Sequence, residues 1–189
     1  STVGTKGGTV DVAFCGCVTF TESSTAGKVV RTNSSRGTPA ASGGGKTKFS
    51  GSATADHATI TNLPNGEPIA SGGGTEFVGH SNAGECTITN EGATVSGEIG
   101  GSTDLENNSS AANATLIANR GVHGGEGGKI QLFSGWVGGL PRVEVFGNGL
   151  LQLVPGLTRF IGSLEGDGLV ELPDAGLEIG VPRAPLFRE

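Results

Sequence analysis

The chain repeats itself, and the repeat restricts its fold more than any other feature. Aligned on large apolar residues, it shows anchors at Phe20, Phe49, Phe77, Leu105 and Phe133, spaced 29, 28, 28 and 28 residues apart. Behind each of the first four comes a related string: TESSTAGKVVRTN, SGSATADHATITN, VGHSNAGECTITN and ENNSSAANATLIAN. One column holds Ala26, Ala55, Ala83 and Ala111. A second holds Val29, Ala58, Cys86 and Ala114. A third holds Arg31, Ile60, Ile88 and Leu116, and a fourth Asn33, Asn62, Asn90 and Ala118. Glycines recur near the end of each unit, at Gly43 to Gly45, Gly72 to Gly74, Gly100 and Gly101, and Gly127 and Gly128.

Within a unit the apolar period is two. Ala58, Ile60 and Asn62 alternate with Thr59 and Thr61; Cys86, Ile88 and Asn90 alternate with Thr87 and Thr89. That is the pattern of a half-buried strand, and its Thr and Ile suit a pleated surface. Ser109 to Ala118 is the one segment with helical character, and its register with three strand-like units assigns it to the repeat. Units this short cannot bury a face alone; stacked, they share one continuous core, with strands about 4.8 Å apart. The expected fold is therefore all-β: a right-handed parallel β-helix, or β-solenoid, of about five to six coils. The aligned Asn residues are placed at a corner, as ordinary turn formers in preference to a ladder that bonds backbone groups there.

Composition agrees with a thin core. Gly supplies 36 and Pro 8 of the 189 residues, 34% are hydrophobic and only 5% aromatic. A glycine content of this order suggests disorder when unordered; here the glycines keep fixed places. The net charge of −6 disfavours a nucleic-acid footprint and an anionic membrane surface. No run approaches the length of a membrane-spanning helix. Three cysteines, Cys15, Cys17 and Cys86, form no disulfide framework and read as small buried hydrophobes. No metal or cofactor site is expected.

The ends differ from the middle. Residues 1–19 read as a leading strand, with Val10, Val12, Phe14, Gly16, Val18 and Phe20 on one face; residues 20–146 carry the repeats. Residues 147–180 read as shorter, more apolar coils or a cap, with strands at Leu150 to Leu153, Phe160 to Leu164 and Leu169 to Leu172. Residues 181–189 read as an irregular tail.

The F-x-x-x-S-T-A-G-x-A-T-I-T-N pattern, seen as FTESSTAG and HATITN, resembles the repeats of bacterial autotransporter passenger-type β-helices. So does the run RVEVFGNGLLQLVPGLTRFIGSLEGDGLVEL. The resemblance extends over most of the chain, from Phe20 to Gly180. It implies a parallel β-helix and an extracellular or cell-surface location in a bacterium, and it implies no particular activity. The family's C-terminal membrane barrel is missing from this sequence. That leaves two expectations, a released passenger fragment or a solenoid exported another way.

Chemistry is sparsely provided. The acidic candidates for glycoside cleavage are Asp56, Glu85, Asp104, Glu106, Glu126, Glu144, Glu165 and Asp167. Such cleavage requires two carboxyls about 5 to 9.5 Å apart. Only Asp56 and Glu85 hold comparable places in adjacent coils, and they read as solvated turn charges. A triad drawing on His57, His80 or His123, with Ser52 near His57, lacks a nucleophile elbow. The glycine tracts at Gly43 and Gly72 read as corners; Gly45-Lys46-Thr47 lacks the frame of a phosphate loop. Asn33, Asn107, Asn108 and Asn113 begin N-x-[ST] sequons. The reading is thus a non-catalytic extracellular structural or adhesive module, partnered by itself end to end or by surface glycans or proteins. The alternatives are a carbohydrate-binding or carbohydrate-active β-helix, poorly supplied with aromatics since Trp136 is the only Trp, and an ice-binding solenoid, suggested by T-x-T in two coils.

Overall fold

The computed structural model describes residues 9–11, 16–34, 44–66, 71–135, 138–155 and 158–180. Sixteen short strands run in chain order: β1 Thr9–Asp11, β2 Cys17–Phe20, β3 Val30–Asn33, β4 Lys46–Phe49, β5 Thr59–Asn62, β6 Gly74–Phe77, β7 Thr87–Asn90 and β8 Ser102–Leu105. They continue as β9 Thr115–Ala118, β10 Lys129–Leu132, β11 Arg142–Val145, β12 Leu150–Leu153, β13 Arg159–Ile161, β14 Ser163–Gly166, β15 Leu169–Glu171 and β16 Leu177–Ile179. All pairings are parallel; β1 to β12 alternate between two sheets, β14 and β15 continue them, and β13 pairs with β16 in a separate two-stranded sheet. The first sheet stacks β1, β3, β5, β7, β9, β11 and β14; the second stacks β2, β4, β6, β8, β10, β12 and β15. This is a parallel β-solenoid. Each sheet has seven rungs, one or two more than the spacing of the repeat shows, because the last rungs are too short to keep that spacing.

Each repeat runs from the second sheet, through a corner, to the first sheet and back through a loop. Single bridges join Thr25, Thr54, Asn82 and Ser110 from coil to coil between the two sheets. The residue two beyond each of these occupies the left-handed region: Gly27 (φ 61°), Asp56 (55°), Gly84 (65°) and Ala112 (47°). Glycine and Asp accept that conformation more readily than alanine does, so Ala112 is the strained member of the column. On the return path Gly72 and Gly100 meet the backbone carbonyl of Gly100 and Gly127 in the next coil so closely that a methyl would overlap it. The regular glycines therefore permit backbone to lie on backbone.

Inside, the repeat columns become axial stacks. Phe20, Phe49 and Phe77 stack with centroids 4.8 Å apart and planes within 9° and 6° of parallel. The separation is the strand spacing itself, so register and not ring preference dictates the stacking. Ala26, Ala55, Ala83 and Ala111, and Val29, Ala58, Cys86 and Ala114, are all buried. Burial pushes the Cys86 thiol up to about 12, as expected of a side chain serving as a small hydrophobe.

Several expectations are corrected. The anchor column does not pass through Phe133: Leu105 pairs with Leu132, which pairs with Leu153. Leu132 and Leu153 are buried and Phe133 is only partly so. Cys17 is exposed, on the outer side of β2, so it is not a buried hydrophobe. The alternating stretch before Phe20 is not one strand, since β1 and β2 lie in different sheets and β1 is already a rung paired with β3. The stretch Phe160 to Leu164 divides at Gly162 into β13, which pairs with β16, and β14, which joins the first sheet. Cys15, Trp136 and the tail 181–189 lie outside the described residues. No described helix is long and apolar enough to cross a membrane.

Candidate functional site

The Asn column is a buried hydrogen-bonded ladder, not a corner. Asn33, Asn62 and Asn90 end strands β3, β5 and β7 and are fully buried. Asn33 Nδ2 donates to Asn62 Oδ1 at 2.7 Å, and Asn62 Nδ2 donates to Asn90 Oδ1 at 2.8 Å. A parallel column of buried threonines faces them from the second sheet. Thr47, Thr75 and Thr103 donate to Asn33, Asn62 and Asn90 Oδ1 at 2.9, 3.0 and 2.9 Å. Arg31 tops the ladder, its Nε donating to Asn33 Oδ1 at 2.9 Å and Thr47 Oγ1 at 2.8 Å. In the next coil Ala118 replaces Asn and Ile130 replaces Thr, and both are buried. The polar interior ends there in both sheets at once. Asn33, the first residue of a sequon, is buried in this ladder; Asn107, Asn108 and Asn113 are exposed.

The outer faces of the two sheets differ in charge. On the first sheet, Val30, Thr59, Thr87 and Thr115 align in one outward column and Thr32, Thr61, Thr89 and Ile117 in the other. The T-x-T array thus spans two full rungs, with a single threonine in the rung on each side. On the second sheet, Lys48 pairs with Glu76 at 2.8 Å, Gln131 with Gln152 at 2.7 Å, and Gln152 with Glu171 at 2.9 Å. Asp104 lies between Glu76 and Gln131. Burial pushes its carboxyl up to about 6; Lys46 opposes the shift, and Glu106 and Glu76 add to it.

The remaining expected site residues scatter. Asp56 and Glu85 do converge, with His57 between them: His57 Nε2 lies 3.5 Å from Asp56 Oδ1 and Nδ1 3.5 Å from Glu85 Oε2. All three lie at turns with their side chains open to solvent. Ser52 belongs to a different turn, bonded through its N–H to Glu22 O. His80 and His123 lie exposed on two further turns. Glu126 pairs with Lys129 at 2.8 Å. Arg142 is held by Glu144 at 3.2 Å and by both oxygens of Glu165, at 2.9 and 2.7 Å. This holds the Glu165 carboxyl below its usual range. Glu106 lies 3.5 Å from Asn107 Nδ2. Gly44, Gly45 and Gly72 form tight backbone contacts, and Thr47 belongs to the ladder; Gly43 lies outside the described residues. No group of three potential metal ligands occurs among the described residues.

One concave site arises from a feature the repeat conceals. The loops returning from the first sheet span residues 34–45, 63–73, 91–101 and 119–128, then shorten to 146–149 and 167–168. At this step lies a recess of about 550 Å³ lined by Glu91, Asn119, Arg120, Phe146, Gly147 and Asp167. Glu91, Asn119, Phe146 and Asp167 each follow the last residue of β7, β9, β11 and β14, so consecutive rungs deliver them to one wall. Asn119 Nδ2 donates to Glu91 Oε2 at 2.9 Å, and Gly147 N donates to Asp167 Oδ1 at 2.9 Å. Asn148 braces the step, accepting from Gly121 N at 2.7 Å and donating to Gly125 O at 3.0 Å. Of the lining residues only Asp167 was among the sequence candidates. The others belong to the segments where the repeat breaks, and only the loop shortening could have signalled them. Comparison with protein families, curated proteins and solved structures finds no match for this chain.

Proposed function

We propose that the chain is a non-catalytic, extracellular structural or adhesive rod of the autotransporter-passenger type, pairing with another copy through its C-terminal end. One observation supports this most. Val170 points inward from β15, paired with the buried Leu151, yet is 38% exposed; its chain neighbours Leu169 and Leu172 are 53% and 43% exposed, and Ile179 on β16 is 58% exposed. By contrast Val18 and Phe20, on the first rung of the second sheet, are 6% and 5% exposed. An apolar cross-section beside unpaired strand edges is a surface for further strand stacking. Light scattering over a concentration series, with negative-stain imaging, should show end-joined rods that Val170→Lys converts to monomers. Monomers alone at high concentration count against the proposal.

A second reading is favoured by the threonine array. Six outward threonines in two columns, uncharged and about 4.8 Å apart along the axis, offer a flat lattice of hydroxyls and methyls suited to an ice surface. Thermal hysteresis that Thr61→Lys abolishes supports it; no hysteresis removes it.

A further inference from the structure

We propose that the recess at the loop step binds a neutral saccharide. This goes beyond the end-to-end reading and stands without it. The argument is one of donors and acceptors. Glu91 and Asp167 are acceptors only, and each keeps a carboxylate oxygen beyond the one bonded to Asn119 or Gly147. Arg120 is a donor only, is exposed, and makes no side-chain hydrogen bond or ion pair among the described residues. Asn119 is both. An anion would meet Arg120 but face two carboxylates; a cation would meet the carboxylates but face Arg120. Sugar hydroxyls donate and accept together, so vicinal hydroxyls satisfy both sets at once. Phe146 supplies the apolar surface on which the C–H face of a sugar ring packs.

The site is also preorganised. Gly147 leaves room for the Arg120 stem, since a Cβ there would fall 2.7 Å from Arg120 Cβ. Asn148 ties the long loop to the short one. The volume lies within the range of small-molecule sites.

The full chain should be tested by saturation-transfer-difference NMR against cellotriose, xylotriose, mannotriose and maltotriose, beside a glycan array that includes uronate-bearing glycans. At least one neutral glycan should bind. Arg120→Gln and Glu91→Gln should each weaken it about tenfold, the cost of losing one charged hydrogen bond. Both variants should keep the wild-type circular dichroism and melting profile, and Thr87→Ser, on the first sheet's outer face, should bind as wild type does. The proposal is overturned if no neutral glycan binds, if only uronate-bearing glycans bind, or if binding survives both substitutions.

Discussion

Replacing Asn62 by Ala removes four short hydrogen bonds from the centre of the ladder, together with a long one from Nδ2 to Thr103 Oγ1 at 3.4 Å. Asn33 Nδ2 and Thr75 Oγ1 lose their acceptor at 2.7 and 3.0 Å, and Asn90 Oδ1 and Ser102 O lose a donor at 2.8 Å each. At about 1 kcal/mol net for each, the loss sums to about 4 kcal/mol. The damage is unequal. Asn33 Nδ2 keeps Gly74 O at 2.9 Å and Asn90 Oδ1 keeps Thr103 at 2.9 Å, whereas Thr75 loses the acceptor of its buried hydroxyl. Adding Thr75→Val removes that stranded group, so the double variant should be more stable than the sum of the single effects by about 1–2 kcal/mol. The chain makes the same paired exchange at Ala118 and Ile130. Guanidinium denaturation read by far-ultraviolet circular dichroism gives the stabilities. Hydrogen exchange should place the loss in β5, β7 and their neighbours, because solenoid coils couple chiefly to adjacent coils. A loss below about 1 kcal/mol for Asn62→Ala, or strict additivity in the cycle, refutes the ladder as a source of stability.

Three further substitutions test other features. Leu132→Ala should cost about 2–5 kcal/mol and Phe133→Ala under about 1 kcal/mol; equal costs in a denaturant titration would contradict the Leu132 register. Ala112→Gly should stabilise by about 1 kcal/mol by relieving a left-handed alanine at φ 47°, seen as a raised melting temperature, and a fall would contradict the strain. Asp104 has a folded pKa of about 6, above its ordinary 3.8, so the folded chain holds the proton more tightly. Its contribution to stability is full below about pH 4 and is lost as pH rises through about 6. Its Oδ1 is buried without a hydrogen-bond partner among the described residues. Asp104→Asn should flatten this window and gain up to about 3 kcal/mol at pH 7; an unchanged pH profile of unfolding would contradict it.

Local pattern made the architecture legible before any coordinates. Period-two alternation at Ala58, Ile60 and Asn62, repeated near 28 residues, specifies a strand and a stack, because a strand's side chains alternate whatever its neighbours do. The same logic erred at Phe133. Size made it resemble an anchor, while the pairing of β8 with β10 places Leu132 inside; one residue of register reverses every side chain. Cys17 was misjudged on residue type, although the alternation that turns Val18 and Phe20 inward turns it outward.

Residue chemistry and spacing by themselves determined the parallel solenoid, the Phe, Ala and Ile columns, and the glycine-rich return. Both are local properties, repeated until their sum is unambiguous. Tertiary structure alone decided that the asparagines bond to one another and to threonines of the opposite sheet, that Asp104 is desolvated, and that Glu91, Arg120, Phe146 and Asp167 share one recess. These depend on which coil lies against which, and on where a loop shortens. No single repeat encodes either; only stacking brings together residues so far apart in the chain.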